Sequence, residues 1–255
     1  MDIAGRIAAL LKKEKTCCLA TVVDSGTPAV AAGTKAILLI DGTLDGSLGS
    51  VQLDAKLTTS APKIFKEGKS GLAEIQKGVK VFLNILSCDA QLIICGAGHI
   101  AVPLAQFAHQ LGFRVTVIDD RSDFANPLRF PNCEVIAEDF TIALRDLHFS
   151  PATYAVVITR GHEHDVECLF EILEKETQYV GLIGSRRRVR LVLEMLGKEG
   201  FSQKRLKEVF TPIGLPIGAE SPEEIALSIM SELVCVRRKG AAQAHALRAA
   251  VGTEL

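Results

Sequence analysis

Along residues 2–14 the apolar positions Ile3, Ile7, Leu10 and Leu11 recur at helical spacing, with Lys12, Lys13 and Lys15 near the C-terminal end, where cations suit the helix dipole. The pattern predicts an amphipathic helix. It then changes to short β-prone runs at 18–23, 35–40 and 42–48, broken by Ser25-Gly26 and by Asp41-Gly42, the latter a strong hairpin signal. A polar stretch rich in Lys, Gly and Ser over 62–71 precedes the run 79–86, VKVFLNIL, which is read as closing the small sheet. Residues 1–88 are therefore expected to form a small N-terminal α+β domain, with the boundary at 87–90.

From Gln91 onward strands alternate with helical stretches, the sign of a parallel sheet covered by helices on both faces. Strands are expected at 91–95, 115–119, 133–137, 154–159 and 179–183. Helices are expected at about 99–112, 140–147, 163–176 and 186–199, with connections short enough for right-handed crossovers. A last helix is predicted from Ser221-Pro222-Glu223-Glu224, where an N-cap serine, a first-turn proline and a glutamate three residues after the cap make a capping box. It runs to about Lys239 and stops at Gly240. The fold class is thus α/β: the small α+β domain, then a Rossmann-like domain over 89–240, then a tail, 241–255, read as helical or frayed and assigned no function.

Composition narrows the class without naming it. Hydrophobic residues at 48% and charged residues at 23% describe an ordinary globular chain. With 29 basic against 30 acidic residues the formal charge is −1, so no global attraction to nucleic acid or anionic membrane exists, and any anion site must be local. The seven cysteines (Cys17, Cys18, Cys88, Cys95, Cys133, Cys168 and Cys235) form no CxxC pair, which reads as reduced, mostly buried thiols. The N-terminal residues lack the order of charge and apolar segment of a secretory signal, and no stretch approaches the length of a membrane span. A cytoplasmic protein is expected.

The segment 91–121, QLIICGAGHIAVPLAQFAHQLGFRVTVIDDR, carries the most chemistry. Gly96 permits a tight turn after the strand, Gly98 lets backbone approach a pyrophosphate, and Ala101 allows close packing of helix on strand, with His99 in the turn between them. Asp119, twenty-one residues after Gly98, ends the next strand. A carboxylate there suits ribose hydroxyls and repels a 2′-phosphate, which predicts NAD over NADP, although Arg121 beside it could meet such a phosphate. Asp120 and Arg121 complete this candidate cofactor site.

Two more segments fall where a doubly wound sheet presents ligands, at the carboxyl ends of its strands. The first is Arg160-Gly161-His162-Glu163-His164-Asp165. Its residues suit a helix N-terminus with acidic groups near the positive end, or proton transfer and ligand hydrogen bonding, and the histidines with Asp165 have ligand-type chemistry; no bound metal is predicted. The second is Gly184-Ser185-Arg186-Arg187-Arg188, a helix start with amides, a hydroxyl and guanidinium groups, read either as an anion site centred on Gly184, Ser185 and Arg186 or as a solvated basic face.

These residues, with Phe124-Ala125-Asn126-Pro127-Leu128-Arg129-Phe130-Pro131, YVGLIGSRRR over 179–188 and PIGLPIGAESPEEIALSIMSELV over 212–234, resemble the C-terminal Rossmann domain of the XdhC/CoxI family. The resemblance implies an accessory and maturation factor for a molybdenum hydroxylase such as xanthine dehydrogenase. By that resemblance it would bind a nucleotide such as NAD(P), or carry molybdenum cofactor (molybdopterin), assist sulfuration and hand the cofactor to the client enzyme. A homodimer is also open. The first domain resembles the same family but departs from it: Thr27-Pro28-Ala29-Val30-Ala31-Ala32-Gly33 replaces a basic turn, and Gln52 stands where the family's cysteine is expected. Glutamine supplies neither a thiolate nor a soft metal ligand. The alternatives are a free-standing NAD-dependent oxidoreductase and a nucleotide sensor without turnover; no catalytic residue is assigned.

Overall fold

A computed structural model describes residues 2–12, 15–25, 30–68, 70–86 and 90–250, in two compact units, 1–88 and 89–255. The readings at 26–29, which include Thr27-Pro28-Ala29, and at Cys88 lie outside the described residues.

In the first unit, α1 (Ile3–Lys12) precedes an antiparallel sheet of β1 (Cys17–Asp24), β2 (Lys35–Leu39), β3 (Leu44–Gly46), β4 (Gly71–Gln76) and β5 (Val79–Leu86), in the order β3-β2-β1-β5-β4. One face of alternating residues, including Cys18, Ala20, Val22, Val81 and Leu83, packs on α2 (Val51–Thr59) and α3 (Ala61–Glu67) through Leu53, Leu57, Ala61 and Ile64. The stretch 62–71 is thus no polar separator: it holds most of α3 and the start of β4. Its lysines hide the Leu53, Leu57, Ala61, Ile64 spacing, which is a helical stripe, and Pro62 sits in the first turn of α3.

The second unit has five parallel strands, β6 (Gln91–Cys95), β7 (Arg114–Ile118), β8 (Glu134–Ile136), β9 (Thr153–Val157) and β10 (Tyr179–Leu182), ordered β10-β9-β6-β7-β8. All of β6 and β9 is buried, as expected for strands covered on both faces. Alternate residues face two cores. Leu92, Ile94, Val115, Val117 and Val156 meet α4 (Ala101–Gln110), α9 (Pro222–Lys239) and α10 (Ala241–Ala250). Ile93, Cys95, Ala155 and Val157 meet α5 (Phe140–Asp146), α6 (His162–Leu173) and α7 (Arg186–Lys198), with α8 (Gln203–Leu206) following. The capping box at Ser221 and Glu224 forms as the spacing predicts.

Residues beyond α8 close the β10 edge. The Phe210 amide donates to Val180 O at 2.8 Å, and the Leu182 amide donates to Phe210 O at 3.0 Å. Residues 241–250 are a helix packed on α9, with Ala244 and Arg248 buried. The reason is ionic. Glu232, fully buried in α9, accepts from Tyr179 Oη (2.5 Å), the Gly214 amide (3.1 Å) and Arg248 Nη1 (3.0 Å), while Arg248 Nη2 donates to Pro212 O at 2.5 Å. Burial, then the Glu232 charge, pushes the Tyr179 phenol well above its ordinary pKa, so it stays a donor.

Removing one member of a buried ion pair leaves an uncompensated charge and costs about 3–5 kcal/mol. Arg248→Met is therefore expected to lower stability by that amount in chemical denaturation, with part recovered when Glu232→Gln is added. A loss below about 1 kcal/mol would show that this pair does not hold α10 down.

Candidate functional site

Strands β6 and β9 are neighbours, and the sheet is built outward from them in opposite directions, which opens a crevice at their carboxyl ends. Gly96 leaves β6 at φ +109°, and a Cβ there would lie 2.6 Å from Ile158 O. Only glycine permits so close an approach. The chain then turns through Ala97, Gly98 and His99 into α4, whose buried Ala101 packs under the turn. The space a Cβ would occupy at Gly98 is open. Gly98, exposed His99, Ile100 and Ile158 border a cleft of about 300 Å³, closed by Glu220, Pro222 and Ile225 at the start of α9. Amides at the N-terminus of α4 thus border a cavity, the arrangement that suits phosphate.

Asp119, 1% exposed, follows β7. Its Oδ2 accepts from the Ala97 amide (2.8 Å) and Arg121 Nη2 (2.9 Å), and its Oδ1 from Arg121 Nε (2.8 Å) and the Arg121 amide (3.1 Å). Burial opposes ionisation here, but the Arg121 guanidinium and the two amides outweigh it and hold the carboxyl below its ordinary range. Both oxygens that a ribose diol would use are therefore already engaged. Arg121 lies over the Phe124 ring at 3.8 Å. Next to it Asp120 binds the Arg160 fork at 2.5 and 2.7 Å, and that guanidinium drives its pKa down to about 2. The 124–131 stretch also finds a role: Arg129 Nη1 donates to Ala97 O (3.0 Å) and Phe124 O (2.7 Å), tying this loop to the glycine turn.

The loop at Arg160–Asp165 sends its groups apart. His162, the first residue of α6, is exposed; His164 Nδ1 lies 3.0 Å from Glu167 Oε2; Asp165 is fully buried. Among the described residues no group of three His, Cys, Asp or Glu side chains is placed to hold a metal ion. Asp165 accepts from Thr159 Oγ1 and Arg188 Nε, each at 2.6 Å, and Arg188 Nη2 donates to Thr159 O at 3.1 Å. The guanidinium of the arginine run that points inward is thus Arg188. Gly184 makes room for it, since a Cβ there would sit 3.3 Å from Arg188 Cδ, and the Ser185 hydroxyl caps α7 by accepting from the Arg188 amide. Gly184, Ser185 and Arg186 do not line the Gly98 cleft; Arg186 lines a separate hollow with Arg187. Asp165 was detectable in principle: it shares the stripe of Leu169 and Ile172, where a buried carboxylate requires a cation.

Cys17 and Cys18 are both buried, and burial pushes the Cys18 thiol up to about 11. Gln52 is exposed in the first turn of α2.

A five-stranded parallel sheet in this order, with its glycine turn at the switch point and a small antiparallel unit before it, defines a two-unit Rossmann-type protein. More narrowly, the chain belongs to the XdhC and CoxI family: the XdhC Rossmann domain matches residues 92–233, and the XdhC and CoxI family matches residues 10–76. It is 27% identical over 253 residues to YqeB of Escherichia coli K12, covering 93% of this chain and 46% of that protein. It is 33% identical over 169 residues to a Bacillus subtilis protein described as part of a probable xanthine dehydrogenase, covering 66% of this chain and 49% of that one. A 2.80 Å crystal structure described as a xanthine dehydrogenase from Bacillus halodurans matches with a TM-score of 0.68 at 26% identity, over 94% of this chain and 69% of that one. The chain spans about half the length of the curated relatives it matches.

Two outcomes follow from these pairs. Arg188→Ala strands the Asp165 carboxylate and is expected to cost about 3–5 kcal/mol in denaturant melts, whereas exposed Arg187→Ala should change stability by less than about 0.5 kcal/mol. Equal effects would show that the inward arginine has been misassigned. Because the folded pKa of Asp120 is depressed, its stabilising contribution is present above about pH 4, the unfolded value, and lost as pH falls through about 2. Carboxyl-carbon NMR titration should find that low value in the wild type and a return toward about 4 in Arg160→Ala; a wild-type midpoint near 4 would show the pair is not formed in solution.

Proposed function

We propose that this chain is an accessory protein of a molybdenum hydroxylase of the xanthine dehydrogenase kind, and that its Rossmann crevice holds a phosphate-bearing nucleotide or pterin ligand. The observation that carries the reading is the open space at Gly98, facing the amides at the start of α4 in a cleft between the two helix starts. The family membership and the names of the Bacillus relatives support the choice of client.

The residues suit an anionic ligand. Amides at the N-terminus of α4 would receive a phosphate. Arg121 and Arg160 lie beside the turn, held by Asp119 and Asp120, and each could exchange part of its carboxylate contact for phosphate oxygens. With the Asp119 oxygens engaged, a ribose diol would first have to displace Arg121, which argues against a simple NAD preference and favours recognition through phosphate. For a molybdopterin species carried as cargo, the same groups would bind its phosphate. Gln52 has no thiol and burial raises the Cys18 thiol pKa, so neither suits sulfur transfer, and we place holding and delivery of the ligand on this chain.

Mass spectrometry of small molecules retained by the purified full chain tests this. A phosphate-bearing nucleotide or pterin is expected. Gly98→Val should abolish its retention by filling the open space while leaving the melting temperature nearly unchanged. Arg160→Ala should weaken binding by about 1.5–3 kcal/mol, the scale of a hydrogen bond to a charged group. Ligand retained equally by Gly98→Val would overturn the placement. A hydroxylase that acquires its full complement of molybdopterin in cells lacking this chain would overturn the accessory role.

A further inference from the structure

A second hollow, of about 850 Å³, lies between α7, α8 and α10, apart from the Gly98 cleft. That volume falls in the range of small-molecule sites, about 300–1,000 Å³. Its apolar surface comes from Val189, Leu193, Leu206 and Val209. Its polar lining is one-sided: Arg187, Arg190 and Lys207 stand against one carboxylate, Glu194, which lies 3.7 Å from Arg190. Arg248, also in the lining, has its charge met by Glu232. Arg187 and Lys207 are exposed and make no ion pair among the described residues, which leaves an excess of positive charge beside an apolar surface.

Thr211, 7% exposed, also borders the hollow. His245, at the edge, is held parallel to the Phe210 ring with centroids 4.2 Å apart.

We infer that this hollow is a second binding site, for a small organic anion whose apolar body lies on Val189, Leu193, Leu206 and Val209. Its anionic group meets Arg187 and Lys207. The site stands independently of the ligand proposed for the Gly98 cleft.

Two matched fluorescent probes test it on the full chain: 8-anilinonaphthalene-1-sulfonate and its uncharged analogue N-phenyl-1-naphthylamine. The sulfonate is expected to bind saturably, one per chain, about tenfold or more tighter than the analogue. Reversing the two exposed charges together, Arg187→Glu with Lys207→Glu, should weaken it by about tenfold or more with circular dichroism unchanged. Gly98→Val, which fills the other cleft, should leave it unaltered. Equal affinity for the two probes, indifference to the charge reversal, or loss of binding in Gly98→Val would each overturn the assignment. So would displacement of the dye by an acidic peptide but not by small aromatic carboxylates or phosphates, which would assign the hollow to a protein partner.

Discussion

The ends of β6 and β9 pass so close that no side chain fits between them, and the arrangement of the crevice depends on that approach. A Cβ at position 96 would sit 2.6 Å from Ile158 O, so the chain can leave β6 only through glycine at φ +109°. The turn that follows presents the Ala97 amide to Asp119 and the Ala97 carbonyl to Arg129, so β7 and the loop beyond it are fastened to the same residue. The start of α4 and the open space at Gly98 then face the cleft. Bulk at position 96 would disturb the turn, the Asp119 contact and the α4 terminus together.

Buried carboxylates organise the rest of the second unit. Asp119, Asp165 and Glu232 are each 0–1% exposed, and each is met by an arginine: Arg121, Arg188 and Arg248. A buried charge is tolerated only when it is paired and its remaining lone pairs accept hydrogen bonds, which the guanidinium fork and nearby amides or hydroxyls supply. Each pair also joins separate parts of the chain. Asp119 with Arg121 and the Ala97 amide connects the end of β7 to the glycine turn; Asp165 with Arg188 and Thr159 connects α6, α7 and the end of β9; Glu232 with Arg248 and Tyr179 connects α9, α10 and β10. The consequence is chemical: arginines and carboxylates that look available in one dimension are already committed, and a ligand must compete for them.

The hydrophobic periodicity determined, without any structure, that parallel strands alternate with helices from Gln91 onward, that a capped helix begins at Ser221 and that the glycine turn lies between β6 and α4. These are local properties: burial on both faces makes β6 and β9 read as continuous apolar runs, and caps and turns are written in adjacent residues. The helices α2 and α3 were hidden because lysines such as Lys56 and Lys63 on exposed positions mask a sparse apolar stripe, and β4 because it is an edge strand with no fully buried residue. The choice between a helical and a frayed tail stayed open because the anchor of α10, Glu232, lies in another helix, sixteen residues before Arg248. Which arginine of 186–188 turns inward was likewise beyond the sequence: helical spacing separates the three, but only the position of α6 beside α7 brings the Asp165 carboxylate within 2.6 Å of Arg188. Nor could the sequence show that Asp119 is saturated by Arg121, or that Thr211 and the 186–207 cations border one hollow. Residue types and their spacing determined the elements and the chemistry on offer. Tertiary structure decided which charges are paired and which remain to meet a ligand, because pairing depends on distances between residues that the chain order does not constrain.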